Sequence, residues 1–260
     1  MTSSSASVAH ICEQWGMNLT APAAGDETWF LDWVLQSPKN VSHHLTAGFH
    51  AYRSLAEVYS PDDIESAIEY FGGMGAQSLM IQEFFAPTKH VVGDYSAQAV
   101  SHLQTVLPEP VWAVQMDAYD EQERMAPNAD IVGLDFGDMT CWGTRDGQKH
   151  RRLLDAVFGS HPKAVVLTDI AGPRLHLHRD RYEGLLGAGT CSSYETYLDA
   201  LVARLEGLYD YELQAGFTHR WSTVMAFVPN GQATRTARQG VSGLPYIRPV
   251  PAQPVGLELL

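Results

Sequence analysis

Acidic residues recur at the ends of short apolar runs through the middle of this 260-residue chain, and a glycine cluster follows the first of them. That run ends Glu69-Tyr70-Phe71-Gly72-Gly73-Met74-Gly75. Later runs end Val91-Val92-Gly93-Asp94, Val114-Gln115-Met116-Asp117-Ala118, Leu134-Asp135-Phe136-Gly137-Asp138 and Leu167-Thr168-Asp169. Glycines at 73 and 75 permit a tight turn and close approach of the backbone to a ligand. An acid about 20 residues beyond such a loop, as Asp94 is, suits paired hydrogen bonding to ribose hydroxyls. Asp135 and Asp138 could remove a proton or accept a hydrogen bond from an amine. Phe136 between them could stack on a planar ring. Each residue also has a plainer role. Acids at strand ends cap the following helix, and Phe136 could be core.

Other reactive side chains form weaker patterns. Cys12, Cys141 and Cys191 are scattered and odd in number, so they give neither a disulfide framework nor a zinc-binding CxxC pair. Cys141 lies just after Asp138, where a nucleophilic thiol is conceivable, but a partly buried structural thiol is the plainer reading. His176 and His178 share a face if extended, yet no third metal ligand is evident, so no metal site is expected. A basic substrate-facing or solvent-facing loop is expected there instead. His43-His44 reads as surface.

The elements that must position these groups follow from apolar periodicity. Leu45, Phe49, Tyr52, Leu55 and Val58 fall at helical spacing. Ser60 is placed to cap the segment that begins at Pro61. Strands are expected at 64–71, 89–94, 111–117, 130–136 and 164–170. Helices are expected near 76–85, 97–107, 148–158 and 194–208. Alternation of this kind implies a parallel sheet with helices on both faces. Tyr209–Thr218 and Trp221–Val228 are too close for a crossover helix, so they must pair as an antiparallel hairpin. Ligands of such a sheet sit at the carboxyl ends of the strands, where the acids lie.

In that order — glycine loop, acid, acid, Asp-Phe, terminal hairpin — residues 60–230 resemble the class I S-adenosylmethionine-dependent methyltransferases. Glu69-Tyr70-Phe71-Gly72-Gly73-Met74-Gly75 is similar to the family's first motif. The resemblance implies a Rossmann-like, doubly wound, mostly parallel seven-stranded α/β sheet with a C-terminal antiparallel hairpin. Residues 1–59 would then be an N-terminal helical extension and 231–260 an extended Pro-rich tail. It further implies S-adenosylmethionine as cofactor. Glu69, Phe71, Gly73, Gly75, Asp94, Tyr95, Asp117, Ala118 and Asp135 would line its site, with Asp94 at the ribose and Asp117 at the adenine amino group. Asp135, Phe136 and Asp138 would be catalytic. The Asp-Pro-Phe-Gly and Asn/Asp-Pro-Pro-aromatic patterns of nucleic-acid methyltransferases contain a proline that Asp135-Phe136-Gly137 lacks. A dinucleotide-binding fold is the competitor, but Ser78 stands where its third glycine belongs, and it does not account for the terminal hairpin.

Charge sets the acceptor expectations. The formal net charge is −13, with 4 Lys/Arg against 19 Asp/Glu in residues 1–138 and 13 against 11 in residues 139–260. No pervasive basic field exists to coat nucleic acid. Eight of the 17 Lys/Arg, however, fall between Arg145 and Arg181, after the fourth and fifth strands. Arg145, Arg151, Arg174 and His176 are therefore the expected substrate contacts, and a base in DNA or RNA the expected acceptor. A small-molecule acceptor, with the N-terminal helices as a lid, remains open, as does a non-catalytic binding module. The Ser-rich, uncharged start lacks the pattern of a signal peptide. No run approaches the about 18 apolar residues that span a bilayer. A cytoplasmic protein without membrane contact is expected.

Overall fold

A computed structural model describes residues 38–73, 75–119, 129–135, 147–169, 175, 179–219 and 222–234. Among them are seven strands and six α-helices: α1 (Pro38–Leu55), β1 (Ser66–Tyr70), α2 (Ala76–Phe84), β2 (Lys89–Asp94), α3 (Ala97–Val106), β3 (Val111–Gln115), β4 (Ile131–Leu134), α4 (Gly147–Gly159), β5 (Ala164–Asp169), α5 (Arg179–Leu186), α6 (Tyr194–Glu206), β6 (Tyr211–His219) and β7 (Ser222–Pro229). The strands form one sheet in the order β3-β2-β1-β4-β5-β7-β6. The β1–β2, β2–β3, β1–β4 and β4–β5 pairs are parallel. The β5–β7 and β6–β7 pairs are antiparallel. This is the doubly wound sheet with a reversed final hairpin that the apolar runs imply.

Strand composition explains the layering. Every residue of β4 and β5 is buried, as strands covered on both faces must be. On one face Ile68, Val132 and Val165 pack against Leu153, Leu154, Val157 and Phe158 of α4 and the stripe Tyr197, Leu198, Leu201, Val202 and Leu205 of α6. On the other, Ala67, Ile131 and Val166 meet Ala51, Tyr52 and Leu55 of α1 and Leu79, Met80 and Ile81 of α2. Burying each large aliphatic side chain contributes roughly 1.5–3 kcal/mol, so these stripes hold the helices in place. Ser193 caps α6: its Oγ accepts from the Thr196 amide at 3.2 Å, and Thr196 Oγ1 accepts from the Ser193 amide at 3.0 Å.

Two local expectations change, while the Ser60 cap stands. The Ser60 carbonyl accepts from the Asp63 amide at 3.0 Å, and its amide and hydroxyl both donate to the Asp63 carboxyl, at 2.8 and 2.6 Å. These bonds hold the Asp63 carboxyl below its ordinary pKa. Arg179 and Arg181 lie on α5 rather than in a basic loop. The i,i+4 pair Arg179–Glu183 at 2.9 Å supports that helix, and nothing in the apolar pattern announces it. Residues beyond β7 do not run free at once. The Gly231 and Ala233 amides donate to buried Glu212 at 2.7 and 3.1 Å, and the Thr234 amide donates to Gln214 at 3.0 Å.

Candidate functional site

The carboxyl end of β1 builds the glycine loop. Gly73 and Gly75 have φ of 50° and 79°, the left-handed region that glycine enters without penalty. Phe71 shares that region at φ 63° although it carries a side chain. The Gly72 amide donates to the Gly93 carbonyl at 3.0 Å, closing the loop onto β2. A Cβ on Gly72 would lie 2.3 Å from Val92 Cγ1, so only glycine permits this approach. Gly75 then serves as the N-cap of α2, whose first residue is Ala76.

Asp94, at the end of β2, is the other half of this turn. Its Oδ2 accepts from the Gly73 amide at 3.0 Å and its Oδ1 from the Ser96 amide at 2.8 Å. Each carboxylate oxygen keeps a second lone pair. Tyr95, the next residue, is 75% exposed at the mouth of the loop. Asp117 accepts from the Tyr119 amide at 3.0 Å, so it also caps the turn after β3, and Ala118 beside it is buried. The Asp135 amide donates to the Tyr70 carbonyl at 3.2 Å, placing Asp135 beside the glycine loop. Glu69, Phe71, Gly73, Gly75, Asp94, Tyr95, Asp117, Ala118 and Asp135 thus converge on one edge of the sheet. Phe136, Asp138, Cys141, Arg145, Arg174, His176 and His178 lie outside the described residues. Arg151 lies on α4 and is held by Asp155 at 2.8 Å.

Glu69 is fully buried and accepts a hydrogen bond from the Ser78 hydroxyl. Its Oε1 has no partner among the described residues. Desolvation, with Asp135 and Asp94 nearby, pushes its carboxyl up to about 8. Ser78, the residue that spoils a dinucleotide fingerprint, is here the Glu69 donor.

Several site residues are not legible in the spacing. Tyr52 of α1 is fully buried and donates to Gln77 Oε1 at 2.8 Å; Gln77 Nε2 in turn donates to Thr168 Oγ1 at 2.8 Å. This chain joins α1, α2 and β5 beneath the loop. Burial, with the Glu69 and Asp135 carboxylates, drives the Tyr52 phenol pKa up. On the opposite face the Phe71 and Tyr119 rings lie 5.6 Å apart, and the Tyr119 hydroxyl approaches the His150 ring nitrogens at 2.9 and 3.0 Å. At the end of β5, buried Asp169 accepts from the hydroxyls of Tyr194 at 3.0 Å and Tyr197 at 3.3 Å. An isolated tyrosine inside an apolar stripe reads as core, which is why these networks are invisible until the helices dock. Among the described residues no cluster could hold a metal ion, and no helix is long and apolar enough to cross a membrane.

No family model and no curated protein matches the sequence. Solved structures do match the fold. The methyltransferase domain of bacterial CtHen1-CN is 11% identical, with a TM-score of 0.51 over 72% of this chain and 98% of that one. Magnesium protoporphyrin IX methyltransferase from Synechocystis PCC 6803, with bound SAH, is 13% identical, with a TM-score of 0.48 over 80% and 90%. The likeness to the CtHen1-CN domain is one of fold: the same Rossmann-like, mostly parallel sheet with a reversed final hairpin that the resemblance of the glycine loop and ordered acids implies.

Proposed function

We propose that this protein transfers a methyl group from S-adenosylmethionine, bound along the carboxyl edge of β1, β2, β3 and β4. The supporting observation is the Gly73–Asp94 clasp. It leaves a carboxylate with spare lone pairs at a glycine turn, next to the exposed Tyr95 ring. In this reading Asp94 receives the ribose hydroxyls, Tyr95, Asp117 and Ala118 flank the adenine, and Gly73 and Gly75 give the methionyl part room. The cofactor supplies an electrophilic methyl on a sulfonium sulfur. The chain's work is to hold the acceptor atom in line with it, about 3–3.5 Å away. Asp135, at the same edge, accepts a hydrogen bond from the acceptor and raises its nucleophilicity. Phe136, the next residue, and Asp138, three residues on, are assigned to the acceptor ring and its proton.

The finer reading of the acceptor, a base in DNA or RNA, is supported by the exposed Arg152 of α4 and Arg181 of α5. Arg151 and Arg179 are already committed to Asp155 and Glu183. Calorimetry with S-adenosylmethionine, then a labelled-methyl screen over RNA, DNA and small amines, tests both levels. Absence of cofactor binding overturns the methyltransferase reading. Methyl transfer to small amines alone overturns the nucleic-acid one.

A further inference from the structure

β6 is the outermost strand on its side of the sheet, and α1 lies against it and β7. A strand face covered by a helix is normally apolar. Here it carries Glu212 and Gln214, both buried, next to the equally buried Ser54 of α1. Burying such groups costs free energy unless each finds a partner. Partners come from residues 230–234, which follow β7. Glu212 Oε1 accepts from the Gly231 amide at 2.7 Å and the Ala233 amide at 3.1 Å. Gln214 Oε1 accepts from the Thr234 amide at 3.0 Å. Gln214 Nε2 lies within hydrogen-bond distance of Thr234 Oγ1 at 3.1 Å, Ser54 Oγ at 3.1 Å and the Ser54 carbonyl at 3.3 Å. One side-chain amide thus holds the C-terminal segment and α1 at once. The Tyr59 hydroxyl, just beyond α1, also meets Gln232 Oε1. Ala233 packs on the apolar cluster that holds Ala51, Tyr52 and Leu55 of α1.

We propose that residues 230–234 are a latch for α1, and that the latch and the helix dock and open as one unit. When the segment lifts, Glu212 loses two donors and Gln214 loses its contacts with Thr234. The side chain that grips Ser54 is then no longer fixed from the other end. When α1 lifts, Gln214 loses Ser54 and Ala233 loses its apolar neighbours. Each half favours the docking of the other, and such a coupling acts equally in both directions. The unit reaches the candidate site through Tyr52, two residues before Ser54. Its bond to Gln77 at 2.8 Å crosses to α2, the helix that follows the glycine loop, so opening α1 breaks that bond as well. The C-terminal segment thereby governs the support beneath the loop, whatever ligand the loop takes.

Native-state amide hydrogen exchange of the full chain, read residue by residue, tests this with two substitutions that each touch one half. Gly231→Pro removes a donor to Glu212 and cannot adopt the φ of 86° found there. It is expected to speed exchange of the α1 amides at residues 51–55 by at least about tenfold. Ser54→Ala removes one Gln214 contact from the α1 side. It is expected to speed exchange of the Ala233 and Thr234 amides, on the far side of Gln214, by at least about threefold. In both variants the amides of β4 and β5 are expected to exchange as in the natural chain. If each substitution changes only its own half, the two are not coupled and the inference falls. If the β4 and β5 amides speed up by the same factor as α1, the whole domain has been loosened and the inference falls equally. Ser54→Ala leaves the segment after β7 intact, so it decides the matter even if Gly231→Pro disturbs the end of β7.

Discussion

The Gly73 amide donates to Asp94 Oδ2 at 3.0 Å, so the loop after β1 and the end of β2 form one unit. Asp94 thereby holds the loop's shape and keeps further lone pairs on its carboxylate oxygens. Hydrogen bonds to a charged acceptor are worth about 1.5–3 kcal/mol each. Asp94→Asn puts an amide nitrogen where an acceptor stood. We expect it to weaken S-adenosylmethionine at least about tenfold by calorimetry, while the melting temperature falls by only a few degrees, as for about 1 kcal/mol in a domain of this size. Unchanged affinity would remove Asp94 from the site.

Two glycines that face each other across this unit differ in what a methyl group would meet. At Gly72 the added Cβ lies 2.3 Å from Val92 Cγ1, on a β-branched side chain in a packed strand. At Gly93 it lies 2.3 Å from Met116 Sδ, on an unbranched side chain with several rotatable bonds. Gly72→Ala should therefore destabilise by about 1–3 kcal/mol, and Gly93→Ala by less. Denaturant titration of the two variants measures the order.

Phe71 reverses the usual ranking of alanine and glycine. Alanine normally exceeds glycine in stability by about 0.5–1 kcal/mol because glycine is freer in the unfolded chain. At φ 63° the left-handed backbone costs an L-residue roughly 1–2 kcal/mol that glycine escapes. Both substitutions lose the ring contact with Tyr119. Phe71→Gly should accordingly be as stable as Phe71→Ala or more so, by up to about 1.5 kcal/mol on these figures. A clearly more stable Phe71→Ala would contradict the backbone geometry.

The sheet was legible because its information is local. Runs such as Val165-Val166-Leu167, bounded by turn residues, reveal buried strands without reference to anything distant. The close spacing of Tyr209–Thr218 and Trp221–Val228 left only a hairpin. The edge on which the candidate residues gather was legible too, since strand ends collect at one side of a parallel sheet. The features that escaped notice depend on docking between remote segments. Tyr52 stands 25 residues from Gln77, and Gln77 stands 91 from Thr168. Each reads as core filler until α1 lies across the sheet. Helix α5 escaped because its sequence, RDRYEGLL, buries only Tyr182 and so carries no apolar stripe.

That remote chain makes its own prediction. Tyr52→Phe preserves the packing of the ring but removes the donor to Gln77 Oε1, leaving a buried acceptor short of its bond. The cost of such a loss is about 1–3 kcal/mol. If the Tyr52–Gln77–Thr168 chain also supports the floor beneath the loop, cofactor affinity falls in the same variant. A stability loss with unchanged affinity would confine Tyr52 to a packing role.

Glu69 leaves a mark on stability even without ligand. Its carboxyl titrates near its ordinary value of 4.5 when unfolded but at about 8 when folded. A pKa raised by folding means that the folded state holds the proton more tightly. The associated stability is complete below 4.5 and drains away as pH rises to about 8. One such group gives a slope approaching about 1.4 kcal/mol per pH unit. Buried His90 works in the opposite sense. Burial lowers its pKa from 6.5 to about 3, so its contribution is complete above 6.5 and is lost as pH falls through that range. Glu69→Gln keeps the shape and removes the titration. Denaturant midpoints across pH 5 to 9 should therefore fall more steeply with pH in the natural chain than in Glu69→Gln. Parallel curves would mean that Glu69 is already ionised in the folded protein.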